Sequence, residues 1–523
     1  MAELNPHYHW VVPVAHPISE ATIDDAKRRG LSARALRVLS RRGPVDPAEL
    51  ASRFDEPEAG LHDPGLLPDA EAVRTHVEAA RRAGQSVLVL GDFDADGLTG
   101  LAILTEALRR LGLTVEPYVP DRTGEGHGLS MAAVERARAV GHGLIITADT
   151  GSASVAEVAA AREAGIDVIV TDHHVLGDEL PDTVALVNAQ RADSVYPDRR
   201  LSGAGVAFKV AQLLLDGSDE ERRVALELAD LAAVGSIADV VPIAGENRAI
   251  VRLGLARLER EPRPGLAALM RRARVDRDAI STEDISFGLA PRINAMGRVG
   301  DPSVAAQLLL AADTDTAETL AGQLESANQR RRELTTSAMA EAREALAAAP
   351  ASPFIVIAGD WPVGVIGLVA GRLAEEAGRP ALVLSTSVEP WRGSARSAGG
   401  VDLAAAFAAC GDLFERYGGH PAAAGCHLQP GDLDQLRSRL EAFVEVRPPA
   451  DERPSLSIDL IQSADAAEYV LLRELAPLEG GGDAPPLVGL AGRAGTQVRA
   501  ANGGHTQRTL RRGGETVVGI AVG

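Results

Sequence analysis

Val87-Leu88-Val89-Leu90-Gly91-Asp92-Phe93-Asp94-Ala95-Asp96-Gly97 is where a strand gives way to a cluster of acids. An apolar run of strand-forming residues ends in glycine, and three aspartates then alternate ahead of a helical pattern at 98–111. In an open parallel sheet, ligands bind in the crevice outside the carboxyl ends of the strands. Three unpaired carboxylates buried there would be costly, and a divalent cation with oxygen ligands removes the cost. An Asp/Gly-rich turn with solvated acids is the plainer alternative, and this segment alone leaves both open.

The same texture continues outward. Strand-like runs at 87–90, 114–119, 144–147 and 168–171 alternate with helical patterns at 98–111, 131–140 and 155–164. Such alternation predicts a parallel sheet with helical crossovers. The run Ile145-Ile146-Thr147-Ala148-Asp149-Thr150-Gly151-Ser152 again ends a strand in an aspartate, which by itself is as often a helix N-cap. Val168-Ile169-Val170-Thr171-Asp172-His173-His174 ends a third strand in an acid and two imidazoles at the same level. Asp239 closes the apolar stretch that begins at Asp230. Carboxylate and imidazole in one cleft suit manganese, magnesium or iron better than a thiolate-loving metal.

Beyond these segments, residues 1–80 read as helical and polar, and 314–349 as one long charged helix. Strand texture restarts after it, Arg447-Pro448-Pro449 is a linker, and the tail is glycine-rich with short strand-like runs. The formal charge of −20 argues against a protein that simply coats nucleic acid. An acidic body can still carry a basic groove, because potential is local. Lysine occurs only at Lys27 and Lys209, so the positive charge is almost all arginine, the residue suited to bidentate phosphate contacts. Two cysteines outside any CxxC pair predict neither a zinc site nor a disulfide framework, and a cytoplasmic compartment. The first residues lack the pattern of a signal peptide. No apolar run reaches the roughly 18 residues of a membrane span, so no membrane partner is expected.

Together the four acid-bearing segments resemble the motif series of the DHH phosphoesterase superfamily, named for Asp172-His173-His174. Ser202-Gly203-Ala204-Gly205, Ala290-Pro291-Arg292-Ile293-Asn294-Ala295-Met296-Gly297-Arg298, Gly393-Ser394-Ala395-Arg396-Ser397 and Gly418-Gly419-His420-Pro421 resemble segments of its RecJ-like members. The resemblance implies an α/β fold in five parts. These are an N-terminal helical region at 1–80, a parallel-sheet DHH catalytic domain at 81–312 and a connecting helix at 313–350. A smaller α/β DHHA1 substrate-binding domain follows at 351–447, then a short β-rich, partial OB-like tail at 454–523.

It further implies that Asp94, Asp96, Asp149, His173 and Asp239 ligate two divalent ions, Mn2+ or Mg2+, with Asp149 bridging. Asp92 beside them would ligate or orient water. Catalysis would fall to Asp149 and to His174, which would face the scissile phosphate or support the attacking water. Arg292, Asn294 and Arg298 would line a groove, and Arg396, Ser397, Gly418, Gly419 and His420 would grip nucleic acid.

The activity implied is that of a hydrolase, a single-stranded-DNA-specific exonuclease running 5′ to 3′ and releasing mononucleotides in DNA repair and recombination. Single-stranded-DNA-binding protein and recombination or repair proteins would be further partners. Two alternatives stand beside it: a DHH phosphodiesterase for short oligonucleotides or nucleotide phosphates, and a non-catalytic relative of the kind found in replication-helicase assemblies. Such relatives lose metal ligands, whereas every ligand position is filled here. In the tail, Pro477-Leu478-Glu479-Gly480-Gly481-Gly482-Asp483-Ala484-Pro485 echoes only part of the run that precedes an OB fold. Tyr469 is the tail's only aromatic residue, so any grip on DNA there is expected to work through arginine charge rather than stacking.

Overall fold

Apolar runs with no polar alternation are what a parallel sheet covered on both faces requires. Such runs form most of the first sheet, β1 (Ser86–Gly91), β3 (Leu144–Ala148), β4 (Asp167–Thr171) and β5 (Ala185–Val187), and the more polar β2 (Thr114–Tyr118) is an edge strand. The computed structural model describes residues 9–121, 125–126, 128–446, 455–463, 469–478, 486–491, 493–500, 506–512 and 515–521. All pairings in this sheet are parallel, in the order β2-β1-β3-β4-β5. Helices α1 (Ala95–Arg110), α2 (Met131–Val140) and α3 (Val155–Glu163) are the crossovers. Val87 and Val89 face one apolar cluster, and Leu88 and Leu90 face another on the opposite side. The chain leaves β1 for β2 on one side and returns to β3 on the other. The strand order therefore reverses between β1 and β3, which is where a doubly wound sheet opens its crevice. Asp92 and Asp149 follow those two strands.

Two helices rich in small residues, α4 (Gly203–Leu214) and α5 (Ala229–Ala238), pack on α1 behind the crevice. After α6 (Ala290–Val299) comes α7 (Thr314–Ala348), 35 residues in one helix. At about 1.5 Å per residue it is roughly 52 Å long. Its first half buries Ala317, Ala321 and Leu324 in the core beside the first sheet. Its second half buries Ala338, Met339 and Ala342 in a core of the second. The long helix expected from its charged, alanine-rich composition is thus a strut shared by two cores.

The second sheet contains β6 (Ile355–Gly359), β7 (Ala381–Ser385), β8 (Trp391–Arg396), β9 (Phe414–His420) and β10 (Ala423–Leu428), in the order β9-β10-β8-β7-β6. Only β6 and β7 are parallel; the others pair antiparallel. Helix α8 (Val363–Ala377) covers one face through Val365, Val369 and Leu373. Helix α9 (Leu433–Val446) covers the other through Leu436, Leu440 and Val444.

The two ends of the chain, read from sequence as separate regions, meet in space. The strand His9–Val11 pairs in parallel with Ser455–Ser457. Leu460, Leu471, Leu475 and Leu478 share a core with Leu36, Leu39 and Leu50 of the N-terminal helices. Arg42 grips both carboxylate oxygens of Asp459 at 2.9 and 2.7 Å. The other described tail strands form two small sheets. One pairs Leu460–Ser463 with Val488–Ala491, and the other joins Arg493–Ala500, Thr506–Arg512 and Glu515–Ala521. No pairing links these two sheets among the described residues, so the OB-like arrangement is not confirmed. Most of the 477–485 run, and the side chains of Tyr469 and the tail arginines from 493 onward, lie outside the described residues.

Candidate metal centre and substrate groove

Asp92, Asp94 and Asp149 reach the crevice from the turns that end β1 and β3, Asp96 from the first turn of α1, and Asp239 from the C-cap of α5. Asp94 is the N-cap of α1 and accepts from the backbone N–H of Asp96 and Gly97 at 3.0 and 3.1 Å. Asp96, fully inside, accepts from the N–H groups of Gly203 and Ala204 at 2.7 and 2.9 Å, the opening of α4. A helix N-terminus is a favourable place for that negative charge. Asp149 sits in the left-handed region at φ +60°, strained for a non-glycine residue, and strain of this kind clusters at functional sites. Its backbone is held there by Asp149 N–H donating to Thr171 O at 3.0 Å. The neighbouring turn closes where Thr147 Oγ1 donates to Thr150 O at 2.6 Å. Gly203 permits the approach of α4: a Cβ there would lie 2.3 Å from that of Asp149.

His173 is the hub. Its Nε2 lies 3.1 Å from Asp149 Oδ1, 3.7 Å from Asp239 Oδ2 and 3.9 Å from Asp96 Oδ2. Potential ligand atoms of Asp149, His173 and His174, of Asp96, His173 and Asp239, and of Asp92, Asp94 and Asp149 each lie within 4.8 Å of one another. The structure thus brings together all the residues expected to ligate metal. Burial, and then the charges of Asp96, Asp94 and Asp92, push Asp149 well above the usual carboxylate range. Burial also raises Asp94, reinforced by Asp92, and raises Asp96. Asp239 is pushed up to about 6 by burial and then by Asp96. Asp149 Oδ1 is buried and accepts no hydrogen bond from any described group, although an imidazole nitrogen is 3.1 Å away. Clustered lone pairs without a donor are what divalent cations satisfy, so the donor set fits such ions.

One residue of this centre has a role that the motif alone did not reveal. Asp172 Oδ1 accepts from His174 Nδ1 at 2.7 Å and from the N–H groups of His173 and His174 at 2.7 and 3.1 Å. Its Oδ2 accepts from Ser152 N–H at 3.0 Å. Burial opposes ionisation of Asp172, but the hydrogen bond and charge of His174 prevail and hold it at about 2. The same hydrogen bond raises His174 to about 9. Asp172 therefore orients a protonated, half-exposed imidazole at the mouth of the cleft. The usable signal was a carboxylate two residues ahead of the second histidine.

The residues expected to hold nucleic acid divide into two groups. Arg298, Arg396, Gly418, Gly419 and His420 line one groove of about 690 Å³ between α8, the β9–β10 hairpin and the end of α6. Arg292 turns away: its Nε donates to Glu325 Oε2 at 2.5 Å and its Nη1 to Gly288 O at 2.7 Å. Asn294 is occupied beneath the metal loop, where its Oδ1 accepts from Ala95 N–H at 2.7 Å. Ser397 Oγ donates to Val401 O at 2.5 Å and so shapes the turn after β8.

Two family models match the chain: the N-terminal domain of the DHH family over residues 86–236 and the DHHA1 domain over 351–446. The single-stranded-DNA-specific exonuclease RecJ of Bacillus subtilis is 38% identical over 413 residues, which cover 78% of this chain and 52% of that protein. The chain thus spans about half the length of that relative. RecJ of Escherichia coli K12 is 36% identical, with 73% of this chain and 70% of that one covered. The crystal structure of Thermus thermophilus RecJ in complex with Mn2+ superposes with a TM-score of 0.80 at 29% identity, covering 99% of this chain and 80% of that one. With its acidic cleft at the switch point of a parallel sheet and a basic groove beside it, the chain belongs to the RecJ family of single-stranded-DNA-specific exonucleases.

Proposed function

We propose that this chain hydrolyses phosphodiester bonds of single-stranded DNA from the 5′ end, releasing mononucleotides, with two divalent ions, Mn2+ or Mg2+, as cofactors. The observation that carries the reading is the buried Asp149 oxygen without a donor at the centre of the carboxylate and imidazole cluster. Asp94, Asp96, Asp149, His173 and Asp239 would hold the ions, with Asp149 between them and Asp92 alongside. Bound ions supply Lewis-acid polarisation of phosphoryl oxygen and lower the pKa of water.

The protein's own contribution is orientation, charge and access. Asp96 is fixed at the start of α4, and Asp94 at the start of α1. With Nδ1 of His174 committed to Asp172, Nε2 is the ring atom left to hold a proton for a phosphoryl oxygen. Arg298 and Arg396 offer charge, and His420 a ring nitrogen, to the backbone of the strand. No helix among the described residues is long and apolar enough to cross a membrane. The setting consistent with this reading is cytoplasmic DNA repair and recombination, with single-stranded-DNA-binding protein and recombination or repair proteins as further partners.

The test is a time course on long single strands labelled at either end, with manganese present. Early release of the 5′ label as mononucleotide is expected, with blunt duplex resistant. Release of the 5′ label only after the rest of the strand has gone would reverse the polarity. Cleavage confined to very short oligonucleotides would favour the phosphodiesterase alternative.

A further inference from the structure

The hairpin that walls the groove carries more positive charge than the RecJ-like motifs account for. Strand register places Arg416, His427 and Arg392 directly opposite one another across β9, β10 and β8. Two residues along, the facing trio is Gly418, Gly425 and Ser394. Two further, it is His420, Ala423 and Arg396. Side chains alternate across a sheet, and all nine of these residues line the groove. The intervening Ala395, Ala424 and Cys426 are buried in the core on the other face.

The first trio sets an arginine on each side of one imidazole. A proton on that ring would meet a like charge directly opposite on both neighbouring strands. None of these three side chains makes an ion pair among the described residues. The neighbouring carboxylate, Glu415, is engaged by Gln429. Burial, and then Arg392 and Arg416, hold His427 below the usual imidazole range, with only Glu415 opposing. Two arginines flanking an imidazole in an open groove, with no ion pair among the described residues, match an anion brought from outside.

We propose that Arg392, Arg416 and His427 form a second phosphate-binding row, which takes the body of a single strand whose other phosphates meet Arg396 and His420. This rests on the single-stranded-DNA reading above and adds a length requirement to it. The two arginine-bearing rows are four residues apart, about 14 Å at about 3.4 Å per residue. One nucleotide meets only one row, whereas a strand of several nucleotides meets both. Between the rows, Gly418, Gly425 and Ser394 leave the floor low enough for the strand to cross.

The test uses the full chain without metal, so that binding is read without cleavage. Fluorescence anisotropy compares the parent with R392Q/R416Q on a thymidine oligonucleotide of about 20 residues, longer than the roughly 4–16 that a single-strand site covers, and on a thymidine dinucleotide. The variant should bind the long strand about 10–100-fold more weakly at low salt. Its dependence of log affinity on log salt should be shallower by about one unit per arginine. The loss on the dinucleotide should be at least about tenfold smaller. R392K/R416K should keep most of the parent's salt dependence, because charge is what the row supplies. Equal losses on both lengths, or an unchanged salt dependence, would overturn the proposal. Failure of the nuclease reading would appear elsewhere, as absence of metal-dependent cleavage by the parent chain.

Discussion

At the carboxyl ends of β1, β3 and β4, carboxylates converge on one imidazole. On the open face of β8, β9 and β10, arginines and histidines line up across three strands. The acidic site is deep, and its side chains are pinned by backbone N–H groups, as Asp96 is by Gly203 and Ala204. The basic site is shallow, and its cations are spread along a groove. A pinned acid cluster suits small ions that tolerate little displacement. A spread of cations suits a flexible polyanion that must slide. On the proposed reading, a chain of net charge −20 meets nucleic acid through a groove whose basic lining is local.

The largest effect should come from breaking the acidic half alone. Asp149→Asn keeps the shape but removes the charge at a residue shared by two of the three ligand groupings. Hydrolysis of single-stranded DNA in manganese should fall at least about a thousandfold, the equivalent of roughly 4 kcal/mol in the barrier. Anisotropy with a long oligonucleotide should show binding retained within a few-fold. Turnover near the parent's level would remove Asp149 from the metal centre. A matching collapse in binding would mean that the two regions do not divide the work.

A smaller effect is expected from the basic half. Arg396 lies beside Gly367 and Gly371 of α8, and its Nη1 donates to Ala395 O at 2.8 Å and Ser394 Oγ at 3.1 Å. Arg396→Ala should raise KM for a long strand about tenfold, in the range of a lost charge-assisted contact of roughly 1.5–3 kcal/mol, with kcat changed far less. Steady-state kinetics at several salt concentrations would separate these. A fall confined to kcat would place Arg396 at the reacting phosphate instead.

The two regions also differed in how far they could be read in advance. Asp94 and Asp149 announce themselves because strand, acid and helix follow one another locally, and His173 because it ends a strand at the same level of a parallel sheet. The groove face of β8–β10 depends on register between segments far apart in sequence, so Arg392, Arg416 and His427 carried no local sign. Arg292 and Asn294 sit inside a RecJ-like motif, yet their partners are Glu325 and the Ala95 N–H. Motif membership did not reveal which side of α6 each would use. The joining of the chain ends was the least visible feature, since Arg42 and Asp459 are 417 residues apart. Their regions look unrelated until Leu460, Leu471 and Leu475 are seen filling the core of the N-terminal helices.

The smallest expected effect concerns stability and sharpens the account of the acidic half. In the protein without metal, burial raises Asp94, Asp96 and Asp149 above the carboxylate range, and Asp239 to about 6. An unfolded aspartate titrates near 3.9. Between those values the folded chain binds more protons than the unfolded one, so stability falls as pH rises. The contribution of Asp239 is fully present below about 4 and is lost as pH passes through about 6. Divalent ions replace those protons as the partners of the carboxylates, and they do so more easily once the protons have left. Melting temperatures in chelator and in excess manganese should therefore differ more at pH 7.5 than at pH 5.5. The extra gap should be a few degrees, on the order of the 2–4 °C by which one kcal/mol shifts a sizeable domain. In chelator alone, melting should be lower at pH 7.5 than at pH 5.5. The Asp149→Asn variant should show a weaker version of both trends, because one of the repelling charges is gone. An equal manganese gap at the two pH values would mean that the cluster is already relieved by protein donors. The buried Asp149 oxygen would then need an explanation other than metal.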